Sequence, residues 1–337
     1  MASLANVNSS AIASAYNDGV HAWIVAGLAV VSMANAQEPP RKRAALSPVS
    51  VAQLAEAGHC REVLAQLKTA LDHSTDPALQ KRLGADGVQC AMTLGDADSA
   101  EDFVRALKKR FPHDAEVLYI SVHVFSDLSL RASRELSLTA PGSYQMHELN
   151  AEAMEAQGKE DEAIEEYREV LKKEPSVHGI HYRIGRLLLS GPNRNPEKKQ
   201  QAQREFEEEL KIDPSNAASE YVLGEMARQD QQTDVAIGHF EHATKLDASF
   251  TDAFIGLGRT LIEGGRSADA LAPLQTAAKL EPNNPAPHLY LATAYRQLGR
   301  LEDAQRESAQ QREASDKLRK AKEHLRAQEA GIAEESK

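Results

Sequence analysis

At 337 residues the chain is long enough for two ordinary domains, or for one elongated array with no single central core. Its formal charge of −11, from 39 basic against 50 acidic side chains, lacks the dense positive footprint that phosphate backbones demand, so nucleic acid is excluded as a partner. Aromatic residues make up only 5% of the chain and runs of β-branched residues are missing, which excludes a sheet protein and gives an all-α fold class.

Residues 1–36 differ from everything after them. The run from Ala22 to Met33 carries no charge and is followed by Ala34-Asn35-Ala36 and then Gln37-Glu38-Pro39-Pro40. A bilayer span needs about 20 apolar residues, more than this run supplies. A short apolar core ahead of a small-x-small site instead predicts a secretory signal peptide cut after Ala36. No Lys or Arg precedes the run, so a wrongly assigned start or an uncleaved leader stays open as the alternative. Residues 37–50, with Arg41-Lys42-Arg43 and Ser47-Pro48, read as a flexible linker, and helical periodicity begins near Val51.

Residues 51–143 keep a helix-pair rhythm without a sharp repeat. Val51 to Asp72 supplies a first pair; Gly95, Ala100, Val104, Leu107 and Pro112 frame a second; Val117 to Leu130 and Arg131 to Thr139 are predicted as a shortened third. From Tyr144 to Ala304 the spacing becomes regular. Ala236, Ala270 and Ala304 stand 34 apart, as do Leu223, Leu257 and Leu291, and Gly265 and Gly299. In Phe254-x-x-Leu257-Gly258-x-x-Leu261 the apolar residues share one face of a helix A, and Gly258 lets a facing helix B approach closely. Gly265 ends helix A, Ala270, Leu274 and Ala277 of helix B fill the seam, and Pro282 closes the unit. The unit holding Ile184, Gly185, Ala202 and Phe206 is about five residues longer, and the surplus from Ser190 to Pro196 is predicted as a loop between its helices. Residues 305–337 are predicted as a charged capping helix. A thin seam of Ala314, Leu318, Ala321, Leu325 and Ile332 leaves a coiled-coil dimer as the alternative.

A 34-residue period with a Leu-Gly or Leu-Ala pair, a small alanine, a large apolar residue four later and a closing proline resembles the tetratricopeptide-repeat (TPR) family. The resemblance covers most of the chain after the leader, most clearly Tyr144 to Ala304. It implies a right-handed superhelical solenoid of antiparallel helix pairs whose A helices line a concave groove for a peptide or protein partner, and a scaffold or adaptor role without catalysis. An exported adaptor, periplasmic or secreted, in a complex of the cell envelope is the leading expectation. A cytoplasmic location, and a structural subunit that self-assembles through its repeat ends and C-terminal helix, are the alternatives.

On each A helix the positions two before and two after the Leu-Gly leucine are four apart and share a face roughly opposite helix B. They are Glu148 and Glu152, Tyr182 and Arg186, Tyr221 and Glu225, Ile255 and Arg259, and Leu289 and Thr293; one turn further lie Glu155, Arg228 and Arg296. Arg186, Arg228, Arg259 and Arg296, flanked by Tyr182 and Tyr221, predict a mixed groove with a basic stretch for an acidic or mixed peptide. Ordinary surface charge, with the tyrosines packed between repeats, is the other reading. The Lys and Asn pairs with which chaperone-associated members of the family hold a terminal carboxylate are missing at these positions.

Cys60 and Cys90 are too far apart for a C-x-x-C motif. With a turn near Thr75 both lie fifteen residues from it, so antiparallel helices bring them level and a disulfide follows if the chain is exported; a pair of reduced buried thiols is the alternative. His147-Glu148 lacks the second histidine of H-E-x-x-H, and His178 with His181 has no third ligand, so no metal is expected. No phosphate-binding loop, dinucleotide fingerprint or nucleophile elbow occurs, and neither a cofactor nor enzyme activity is expected.

Overall fold

The structure, a computed structural model, describes residues 46–190 and 195–335, with side chains through Ala327. The expected signal peptide, most of the linker and residues 191–194 of the expected loop lie outside the described residues. Among the described residues every regular element is an α-helix, and the chain falls into two units, residues 1–120 and 121–337.

In the first unit α1 (Pro48–Glu56) pairs with α2 (Cys60–His73), and α3 (Pro77–Leu94) with α4 (Ala97–Arg110). Ser47 and Asp76 start α1 and α3 by accepting hydrogen bonds from the N–H groups of Ser50 and Ala78, each just ahead of a proline whose missing donor costs nothing in a first turn. Leu67, Leu71, Leu83 and Leu107 are fully buried between these helices, each contributing roughly 1.5–3 kcal/mol of burial. Cys60 opens α2, Cys90 lies near the end of α3, and a disulfide joins them across a Cα–Cα distance of 4.9 Å.

A single helix, α5 (Ala115–Thr139), replaces the shortened pair expected between Val117 and Thr139. The physical reason is plain in retrospect: no glycine or proline interrupts residues 115–139, so nothing ends the helix until Ala140 meets Pro141.

The second unit continues as five hairpins. They are α6 (Tyr144–Ala156) with α7 (Glu160–Lys173), α8 (Ile180–Leu189) with α9 (Pro196–Ile212), α10 (Ala217–Gln229) with α11 (Thr233–Leu246), α12 (Thr251–Glu263) with α13 (Leu271–Leu280), and α14 (Pro285–Gln297) with α15 (Leu301–Glu335). Each second helix also packs on the first helix of the next hairpin, so the core runs along the stack. Phe240 shows how tightly. It lies between Gly224 of its own hairpin and Gly256 of the next, where an added Cβ would come within 2.9 and 2.6 Å of its ring.

Two local departures have local causes. Helix α13 begins only at Leu271, with Ser267 to Ala270 forming turns, because Pro273 has no N–H to offer the Asp269 carbonyl and its ring crowds that oxygen. The turn between α10 and α11 carries Gln231 at φ +60°, where the turns at Gly158, Gly265 and Gly299 hold glycine at φ +71°, +75° and +74°.

Candidate functional site

Within the second unit the first helices of successive hairpins, α10, α12 and α14, touch one another directly. Ion pairs link α6 to α8, and α8 and α10 share one buried cluster through Ile184, Leu187, Leu223 and Met226. The residues predicted for the groove all lie on these helices, and their environments differ from residue to residue.

Tyr182 and Tyr221 are half-buried. The Tyr182 ring packs edge-on against Phe206 at 5.7 Å, and Tyr221 sits 5.8 Å from Phe240 and 5.1 Å from Phe250. Burial pushes the Tyr221 hydroxyl up to about 12, aided by the nearby Glu225 and Asp252 carboxylates. Both rings therefore pack into the stack as well as facing the A-helix side. Glu209, fully buried on α9, fixes the start of α8: its carboxylate accepts the Gly179 N–H at 2.7 Å and the Tyr182 N–H at 3.2 Å. A buried charge satisfied by the first N–H groups of a helix holds Tyr182 in place through its own backbone.

The arginines do not form an open basic stretch. Arg186 pairs with Glu155, Arg228 with Glu225 at 2.9 Å and Glu263 at 3.6 Å, and Arg259 with Glu263 at 2.9 Å. The Glu225 carboxylate hydrogen-bonded to it holds the Arg228 guanidinium above its usual pKa, against the opposing effect of burial. Arg296 is different, since its guanidinium donates to the Ala292 carbonyl at 3.0 Å and, among the described residues, meets no carboxylate. Glu148, likewise, has no cationic partner there.

Arg183 and Tyr167 join Glu155 in this network although neither was among the predicted groove positions. Arg183 donates to Glu152 at 2.9 Å, to Glu155 at 3.3 Å and to the Tyr167 hydroxyl at 3.0 Å, while that hydroxyl donates to Glu155 at 3.0 Å. Burial pushes the Tyr167 hydroxyl up to about 12. A signal existed: Arg183 lies 31 residues from Glu152, within a helical turn of the 34-residue interval, which marks side chains on adjacent A helices.

A second pattern lies inside the hairpins. His147 bonds Glu166 at 2.7 Å, His181 bonds Glu205 at 2.6 Å and His288 bonds Glu307 at 2.7 Å, always from helix A to helix B. In the α10/α11 hairpin the order is inverted, with Glu220 on helix A and His239 on helix B at 2.6 Å. Phe254 and Pro273 hold the corresponding places in the next hairpin. These histidines clip helix pairs together, and among the described residues no three His, Cys, Asp or Glu side chains form a metal-binding group. No described helix is long and apolar enough to cross a membrane.

Two segments match family models described as "Tetratricopeptide repeat": residues 151–176 and residues 261–322. None of the curated proteins matches the chain. Among solved structures, one titled "Crystal structure of MamA protein" is 19% identical with a TM-score of 0.47, over 52% of this chain and 94% of that one. "Crystal structure of YrrB: a TPR protein with an unusual peptide-binding site" is 17% identical with a TM-score of 0.47, over 54% and 92%. "MamA 41-end from Desulfovibrio magneticus RS-1" is 18% identical with a TM-score of 0.46, over 52% and 96%.

Proposed function

We propose, from the premise that this chain is a tetratricopeptide-repeat protein, that it is a non-catalytic scaffold and that the A-helix face of residues 144–304 is where a partner polypeptide binds. Such repeats are in general interaction modules, and their physics suits the task. A stack whose core is satisfied between neighbouring helices leaves one long face free for recognition. The observation that carries the reading is a single register position, one residue per A helix, occupied by Glu148, Tyr182, Tyr221, Ile255 and Leu289. The last of these is 46% exposed. Apolar and aromatic side chains in a row, the tyrosines among them packed against Phe206, Phe240 and Phe250, favour a docking surface because ordering them costs a partner little.

The test is capture from the native source with Ile255→Asp and Leu289→Asp combined. Partner recovery is expected to fall sharply while the helical melting curve stays within about 1 kcal/mol of the parent, as substitutions away from the core do. Undiminished recovery would overturn the assignment of the face.

The adaptor is proposed to work outside the cytoplasm, in a complex of the cell envelope. The Cys60–Cys90 bridge supports this, because disulfides persist in oxidising compartments. Mass spectrometry of the native protein is expected to find a mature N-terminus at Gln37. Intact Met1 to Ala36 on a cytoplasmic protein would refute export.

A further inference from the structure

The A-helix face is graded along the stack. At the shared register position the side chains pass from a carboxylate, Glu148 on α6, through Tyr182 and Tyr221, to the aliphatic Ile255 and Leu289 on α12 and α14. Between the ends most of the charges neutralise one another. Arg183 and Arg186 engage Glu152 and Glu155, and Arg228 and Arg259 share Glu263. Of the charged side chains on the five A helices, three carry no ion pair among the described residues: Glu148 at one end, Asp252 on α12 beside Tyr221, and Arg296 at the other end, seven residues beyond Leu289, whose guanidinium donates to a backbone carbonyl. Two helical turns place that guanidinium about 10 Å along α14 from Leu289.

Resting on the reading of this face as the partner site, we infer that its occupant is an extended, charge-polarised polypeptide segment. A basic side chain meets Glu148, residues free of acidic charge pass the tyrosines and Asp252, apolar residues cover Ile255 and Leu289, and an acidic side chain reaches Arg296. Charge complementarity selects this occupant. A uniformly acidic segment would bring a like charge onto Glu148, and a uniformly basic one would repel Arg296. Between the ends, the exposed Asp252 carboxylate beside Tyr221 offers a counter-charge to a basic side chain and none to an acidic one. Four steps between neighbouring A helices, at roughly 8–10 Å each, make a path of about 32–40 Å. An extended segment rising about 3.3 Å per residue covers it in roughly ten to twelve residues.

The experiment uses the full chain and two synthetic peptides of about twelve residues, acetylated and amidated so that only side chains carry charge. The first has lysine at one end, a serine and glycine middle, then leucine, isoleucine and aspartate. The second exchanges the lysine and aspartate and keeps the apolar pair in place. That pair marks the α12–α14 end, so the outcome does not depend on which way the peptide backbone runs. Each exposed pair is worth about three-fold in affinity, so the native protein is expected to prefer the first peptide by about ten-fold at low salt, with the preference shrinking as salt is added. A Glu148→Lys, Arg296→Glu double variant is expected to prefer the second. Equal affinity of the native protein for both peptides, a native preference for the second, or an unchanged preference in the double variant overturns the inferred polarity and leaves the site standing. Failure of both peptides to bind the native protein at about 1 mM, beyond the weak limit expected of a specific contact, removes the site itself.

Discussion

Replacing Gln231 by glycine is expected to stabilise the α10/α11 hairpin. Gln231 is the one described non-glycine residue with a positive φ, +60°, and its side chain is exposed, so the substitution removes no packing. Its N–H bond to the Arg228 carbonyl, 3.1 Å, belongs to the backbone and survives. An L-residue in left-handed geometry costs roughly 1–2 kcal/mol. Glycine relieves that strain but loses about 0.4–1 kcal/mol through the freedom of the unfolded chain. The net gain is therefore about 0.5–1 kcal/mol. The mirror experiment is Gly265→Gln. An added Cβ there meets no atom within 4 Å, so only the dihedral at φ +75° opposes it, and a loss of similar size is expected. Because repeat arrays need not unfold in one step, the measurement is amide hydrogen exchange in α10 and α11, read beside α12 and α13. Slower exchange in Gln231→Gly and faster exchange in Gly265→Gln support the argument. Unchanged or faster exchange in Gln231→Gly would refute it, since no lost contact is available to explain the result.

Three further outcomes follow from the packing and charge of the two units. Exchanging Glu220 and His239, so that the hairpin adopts the His-on-A order of His147–Glu166 and His288–Glu307, should restore most of the roughly 1–3 kcal/mol that either single change costs; a double-mutant cycle with no coupling would show the pair to be idle. Gly256→Ala puts a Cβ 2.6 Å from the Phe240 ring, which Gly224 already confines on its other side, and should destabilise the stack by about 1–3 kcal/mol, measured by urea denaturation. In the first unit burial raises the Asp86 carboxyl to about 6, with the Glu56 carboxylate adding to the effect, and its Oδ2 is buried without a hydrogen-bond partner. A folded-state pKa above the unfolded value means the contribution to stability is fully present below about pH 4 and lost as pH rises through about 6. Asp86→Asn should therefore flatten the stability profile of the first unit between those values, and an unaltered profile would disprove the assignment.

The hairpins of residues 144–304 were legible because their determinants are local and periodic. A slim residue where two helices cross and a turn where helix A ends recur at close to one interval, with prolines such as Pro282 closing some of the units, and a helix pair needs little else to form. Helix α5 was readable on the same grounds, since the absence of any breaker between Ala115 and Thr139 is itself a signal, and so was the late start of α13, from Pro273. What the period cannot reveal is which long side chain on one helix meets which on the next. Arg186 reaches Glu155 and Arg228 reaches Glu263, each across about one repeat, so the apparent basic row is largely neutralised. Such pairings depend on rotamers and on the rotation between hairpins, to which composition and spacing are blind. Sequence by itself thus determined that helices pair and where the turns of residues 144–304 fall, though not that residues 115–139 form one helix, because those choices are made within a few residues. Only the tertiary structure decided which charges on the shared face are satisfied and which, Glu148, Asp252 and Arg296, stand without an ion pair among the described residues, because that depends on distances between residues the chain brings together only when it stacks.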